Sequence, residues 1–446
     1  MLRTSPWGGR KPASFERGVR RQSQGKNMNT IERRLFLKRM LSAGVWGGSL
    51  VWAPAFSRAA SLATSGQGPG SAIGSGAQLT ASGVIKPKGT LGEDLYLAAR
   101  QRGAQHEIAV FDANGRVVKT VPIPDRGHSF AIDANHERVV AFGRQPGFFA
   151  MSFKLDDSDG PPSKITAALG RHFFGHGVFS PDGGLLAATE NDYDEGRGVI
   201  GLYQPNAQGQ WQRVGEWSTH GIGPHEMILM PDGRTVCVAN GGLLTHPDYG
   251  KLVLNRDSMQ PSLVYIDLLT GELQEQVFVP SPWQQLSIRH LTLDADGVVW
   301  FGGQYAGPAT HSPPLVGYHR RGQVLAFAHP GDSSSGAWQP LKNYVGSLAC
   351  DESGRFIATT SPVGGVAMFW DAAKAARVGV APLFDGCGVA CAPGGGFLIS
   401  SGAGQLCHVS LAGVLQDGES SPAIDIQLIS SSAEVSWDNH MRRVQA

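Results

Sequence analysis

One hairpin, present in six copies, restricts this chain more than anything else in it. The segment GHGVFSPDGGLLAAT (Gly175 to Thr189) reads as an alternating strand, a Ser-Pro-Asp-Gly turn and a second strand. It returns as GHSFAIDANHERVVAFG, PHEMILMPDGRTVCVAN and RHLTLDADGVVWFGG, and in weaker form as GSLACDESGRFIATTS and CGVACAPGGGFLISSG. A second pair of strands follows each copy, such as SLVYIDLLTGELQEQVFV. Each unit is therefore a four-stranded antiparallel sheet, and the spacing of about 40 to 65 residues is that of propeller blades carrying loop insertions. The chain has 60 Gly and 27 Pro, enough to supply the turn geometries such a fold consumes.

The two ends supply a seventh blade. Three strands, DLYLAAR, HEIAVFD and RVVKTVPI, precede the first full repeat with no inner strand of their own. One lone strand, SWDNHMRRV, closes the sequence. Pairing the one with the three removes the open edges that would otherwise template aggregation. The expected fold is all-β, a seven-bladed β-propeller over residues 88–446 closed by its C-terminal strand.

The region before it reads as addressing rather than structure. Residues 1–60 carry paired arginines, Arg33 and Arg34, then an apolar run and a small-residue stretch, the layout of a cleavable twin-arginine signal. Translation could begin at Met1 or Met28. Residues 61–87, rich in Gly, Ser and Ala, form a flexible linker. The expected location is the periplasm, with no stable membrane insertion after cleavage, because no later run approaches the ~20 apolar residues of a span. A formal net charge of +1 gives no field for nucleic acid. Five cysteines argue against a disulfide framework.

Aligning the copies on their turns exposes the chemistry. His176, His225 and His290 open the inner strand in three consecutive blades, His128 does so in the blade before, and His440 in the closing strand. The distance to the turn glycine is seven residues for His176 and His290 but eight for His225, a difference a bulge absorbs. The ring is expected at one mouth of the channel. Arg144, Glu190, Asn240, Gln304 and Tyr305, on the loops that return to that face, and Arg289 beside His290 are expected to converge there as cofactor-binding or orienting groups. The remaining histidines, His136, His172, His220, His246 and His311, fall near turns or loops, most of them exposed. Cys387 stands at the histidine level of one weak repeat, as a soft ligand or a small core residue.

In combination, the twin-arginine start, GHSFAID, GHGVFSPDGGLLAATENDYD, GIGPHEMILMPDGRTVCVANGG, THPDYGK, IRHLTLD and WDNH resemble the bacterial domain-of-unknown-function family 1513. That resemblance implies an exported propeller of no settled activity, often encoded beside imelysin-like and di-haem oxidoreductase-like proteins of periplasmic iron uptake, which would be its partners. A second similarity is architectural: the propeller of nitrous-oxide reductase holds a copper cluster through a ring of blade histidines.

The function expected from these residues is binding of a transition metal, iron or copper, as an accessory of metal uptake. Neutral imidazoles suit such ions, and five exceed what one zinc ion needs. Binding should then fade as pH falls through ~6.5, where free imidazole protonates. Two alternatives stand beside it: a scaffold that binds a partner of the uptake system, and an enzyme that acts on an anionic small molecule through His and Arg. No nucleophile elbow, phosphate loop, dinucleotide fingerprint or haem-attachment motif occurs.

Overall fold

The computed structural model describes residues 94–444 except 134, 136–137, 157–159, 332–335 and 413–422. The signal and the linker therefore lie outside the described residues. Seven four-stranded antiparallel sheets follow one another. In the first, Val435–Val444 pairs with Leu95–Arg102, which pairs in turn with Gln105–Asp112 and Val117–Ile123, so the last strand is the inner strand of the first blade. The inner strands of the other six are Gly127–Asp133, Arg171–Phe179, Pro224–Leu229, Leu286–Leu293, Ser347–Cys350 and Gly386–Cys391. These are the six copies of the hairpin, in order, and the expected closure is the observed one.

Burial explains the strand sequences. Second and third strands are covered on both faces by neighbouring blades; Thr235–Asn240 and Ser262–Asp267 are buried at every position. Such strands need apolar or small residues throughout, so VCVA and LVYI read as continuous runs rather than alternations. Fourth strands lie at the rim, with Leu273–Phe278 partly exposed and Ala423–Ser431 mostly exposed. Interlocking apolar clusters join the sheets; the largest runs from Met230 through Trp300 and Leu341 to Trp370.

The hairpin turns are held by their aspartates. Asp294 accepts from the amides of Asp296 and Val298 and from Trp300 Nε1 at 3.1 Å. Asp351 does the same with the amides of Arg355 and Phe356. Gly183, Gly233, Gly297 and Gly354 sit at φ between 67° and 74°, a region open to glycine at little cost. Among the described residues no helix is long and apolar enough to cross a membrane.

One irregularity recurs where it matters. Six of the seven inner pairings shift register at the histidine level: between Gly127 and Phe130, Phe173 and Gly177, Pro224 and Met227, Ile288 and His290, and Gly386 and Val389, and in the closing strand opposite Ala98 and Arg100. A bulge bends its strand and re-aims the extra side chain, here toward the axis.

Candidate functional site: a buried histidine cluster

The bulges bring His128, His176, His225, His290 and His440 into mutual contact. Ring centroids are 4.4 Å apart for His128 and His440, 4.9 Å for His128 and His176, 4.9 Å for His176 and His225, 4.8 Å for His225 and His290, and 4.7 Å for His290 and His440. The sequence reading placed the rings at an open mouth of the channel; the structure buries them instead. All five residues are between 1% and 6% exposed, so they plug the channel. On the hairpin-turn side the plug abuts a cavity of 150 Å³ walled by Phe130, Met227, Leu291 and Met441 among others. On the loop side Asp438, in the closing-strand bulge, accepts from Arg126 Nη2 at 2.5 Å and Arg144 Nη1 at 2.8 Å.

Small residues make the packing feasible. Gly175 has φ +103°, and a Cβ there would lie 2.4 Å from the His128 ring. Gly388 leaves room for the backbone of the closing bulge; a Cβ would come within 2.9 Å of the His440 carbonyl carbon. The blade of Gly386–Cys391 thus offers space where the closing strand brings in the His440 imidazole. Cys387, expected as a ligand or a core residue, is buried with Sγ 3.1 Å from the Asp385 carbonyl, and burial pushes its thiol up to about 12. A hydroxyl ties two of the bulges together: Thr189 Oγ1 lies 3.2 Å from the His176 carbonyl oxygen and 3.0 Å from that of His225.

The electrostatics are those of neutral imidazoles. Burial pushes His128, His176, His225 and His440 well below the ordinary histidine value, and neighbouring rings and the guanidiniums of Arg144, Arg289 and Arg442 push the same way. His290 is lowered by burial as well, with Glu226 opposing. Protonation is therefore not expected near pH 6.5. Six buried ring nitrogens face no partner: both of His128, Nε2 of His176, His290 and His440, and Nδ1 of His225, while His290 Nδ1 faces Glu226 at 3.5 Å. Buried polar atoms are normally satisfied, and a concentration of exceptions marks a place made for something else. Two triads, His128/His176/His225 and His176/His290/His440, each offer ligand atoms within 4.8 Å of one another. Three nitrogens spread evenly about one ion at ~2.1 Å stand about 3.6 Å apart, so ring shifts of up to roughly 0.7 Å would bring either set onto an ion.

Glu226 and Arg442 were not singled out in the sequence. Glu226 is buried among the rings with Oε1 3.6 Å from His176 Nδ1 and Oε2 3.5 Å from His290 Nδ1. It accepts from the Leu291 amide at 3.1 Å and pairs with Arg442. Burial works to raise its pKa, but Arg442, His290 and that amide outweigh it and hold the carboxyl below its usual range. The signals were present: Glu226 follows His225 at a bulge, and Arg442 stands two residues after His440, on the same strand face.

The other expected site residues divide. Arg144 sits over the plug through Asp438, and Arg289 is half-buried beside it with Nε unpartnered. Glu190 turns away, accepting from Tyr203 Oη at 2.5 Å and Arg213 at 2.9 Å. Its carboxylate occupies the space over Gly201, where any Cβ would collide at 2.0 Å, so it braces the outer strands of its blade rather than orienting an imidazole. Asn240 donates to the Thr219 carbonyl at 2.8 Å and holds a loop. Tyr305 bonds His311 Nδ1 at 2.8 Å, away from the rings. Gln304 is half-buried, and its backbone bridges to Tyr344. His172 and His246, expected among the exposed histidines, are buried; Asn191 Nδ2 stands 3.0 Å from His172 Nε2, and burial takes His172 down to about 4. His220 and His311 are exposed, and His136 lies outside the described residues.

Comparison with known proteins agrees with this picture at the level of family and fold. Residues 121–444 match the family described as Protein of unknown function (DUF1513), and the chain belongs to that family. No curated protein matches the sequence. Among solved structures, a Bacteroides fragilis protein named as a candidate 6-phosphogluconolactonase is 12% identical and aligns over 80% of this chain and 100% of its own, with a TM-score of 0.50. The periplasmic gluconolactonase of Pseudomonas aeruginosa is 18% identical over 76% of this chain and 99% of its own, with a TM-score of 0.47. Identities this low convey the propeller fold alone.

Proposed function

We propose that this member of the family binds a transition metal ion, copper or iron, in its buried histidine cluster, and serves in the periplasm as an accessory of metal uptake beside imelysin-like and di-haem oxidoreductase-like partners. The observation that carries the reading is the set of six buried imidazole nitrogens without partners, on neutral rings at one level of the channel. A neutral imidazole lone pair is what copper and iron take as a ligand, and it is costly to bury without one. Surrounding charge selects the oxidation state. Arg442 is balanced by Glu226, and Arg126 and Arg144 share Asp438, but Arg289 has no carboxylate partner among the described residues. In a site of low dielectric that residual positive field disfavours a trivalent ion most, so the reduced forms, Cu(I) and Fe(II), fit best.

A second reading draws on the same Arg289. Its unpartnered Nε beside imidazole N–H groups would suit a small anion. Titration of the metal-free protein with Cu(I) and Fe(II) under anaerobic conditions, and separately with small carboxylates, decides between them. Metal binding at micromolar concentration that survives Arg289→Met supports the first reading. Carboxylate binding lost in Arg289→Met, with no metal bound, replaces it with the second.

A further inference from the structure

The two histidine triads are not equivalent, and the difference lies in one carboxylate. Glu226 faces Nδ1 of His176 with one oxygen and Nδ1 of His290 with the other, at 3.6 and 3.5 Å. Both rings belong to the triad completed by His440, and only His176 belongs to the other. An imidazole nitrogen that faces a carboxylate must carry its proton there, because a lone pair turned toward the negative oxygen is repelled. The two contacts are longer than settled hydrogen bonds, and shifts of a few tenths of an ångström would close them. Fixing the proton on Nδ1 leaves the lone pair on Nε2, and Nε2 of His176, His290 and His440 are all buried without partners.

We propose that Glu226 is the positioning residue of the cluster, which locks His176 and His290 as Nδ1–H tautomers and so makes His176, His290 and His440, through their Nε2 atoms, the triad that receives the ion. This rests on the metal-binding reading and deepens it. Arg442 and the Leu291 amide complete the arrangement by holding the carboxylate in place from the far side. Carboxylates behind metal-bound histidines fix ring orientation and raise ligand basicity, and their loss costs about 10–100-fold in metal affinity. His128 and His225 lack such a carboxylate among the described residues and serve as wall.

The test reads tautomers before it reads metal. Nitrogen-15 spectra of the histidine-labelled, metal-free protein should show His176 and His290 as Nδ1–H tautomers. The Glu226→Met/Arg442→Met variant removes the acceptor and its counter-ion together, so no buried charge is orphaned. It should lose that tautomer preference at both rings, leave His128 and His225 unchanged, and weaken Cu(I) binding by about 10–100-fold. Nε2–H tautomers at His176 and His290 in the unsubstituted protein would overturn the inference even if the variant fails to fold. So would a variant that keeps both tautomers and the affinity. Nδ1–H tautomers in a protein that binds no metal would instead refute the proposed function while upholding the carboxylate's hold on the rings.

Discussion

At the scale of the residue, the unusual fact is five imidazoles kept neutral by burial. In the unfolded chain each takes up a proton near pH 6.5; in the folded protein, with its pKa depressed, each does not. Between those values the unfolded state binds more protons, so stability is full above about pH 6.5 and falls as pH drops below it, by up to ~1.4 kcal/mol per pH unit for each ring that stays neutral. Arg289, Arg442 and Arg144 push in the same direction, and Glu226 opposes at His290. The melting temperature should therefore fall steeply from pH 6.5 to 5 by calorimetry, and less steeply in His128→Asn/His225→Asn. A flat profile over that range would mean that the rings are not held neutral. The same depression corrects the expectation from free imidazole: metal affinity should hold through pH 6.5 rather than fade there. Gly175 belongs to this scale as well. Alanine at φ +103°, against the His128 ring, should cost about 1–3 kcal/mol in denaturant unfolding and displace that ring.

At the scale of the element, the hairpins were legible because their signals are local. Turn aspartates and glycines fix each reversal, and the inner strands repeat with them. The histidine level was legible for the same reason. The direction of the side chains was not, since it depends on bulges whose presence showed only as a seven-versus-eight residue discrepancy. Glu190 illustrates the failure: its place in the ATEND loop suggested the channel, but the strand continues through it to Asp192 and its carboxylate lies over Gly201. Glu226 is the converse, a residue that a bulge turned inward. The closing strand is the element on which the rest depends. It carries His440, Asp438 and Arg442 and pairs along Leu95–Arg102. Deleting residues from Trp437 onward should abolish cooperative thermal unfolding, because it opens a blade at its inner edge and removes a wall of the plug. Unchanged melting would contradict the closure.

At the scale of the whole molecule, seven sheets enclose a plug that neither face exposes, with a cavity of mixed, mainly apolar lining on one side and a salt-bridged cover on the other. A site of this kind is better suited to loading during folding, or through opening of the cover, than to rapid exchange with solvent. Export in a folded state would agree with that, and Arg33→Lys/Arg34→Lys should retain the protein in the cytoplasm, read by fractionation of cells; secretion unaffected by the change would refute the signal assignment. The central claim is that the cluster is one metal site to which His176, a member of both triads, contributes a ligand. Calorimetric titration of the metal-free protein with Cu(I) and Fe(II) tests it most directly, in the unsubstituted chain, His176→Ala, and His176→Ala/His290→Ala. The account predicts micromolar or tighter binding, a large loss in His176→Ala, and a second loss far smaller than the first, because ligands of one ion do not act additively. An unsubstituted protein that binds neither ion, or losses that simply add, would contradict it.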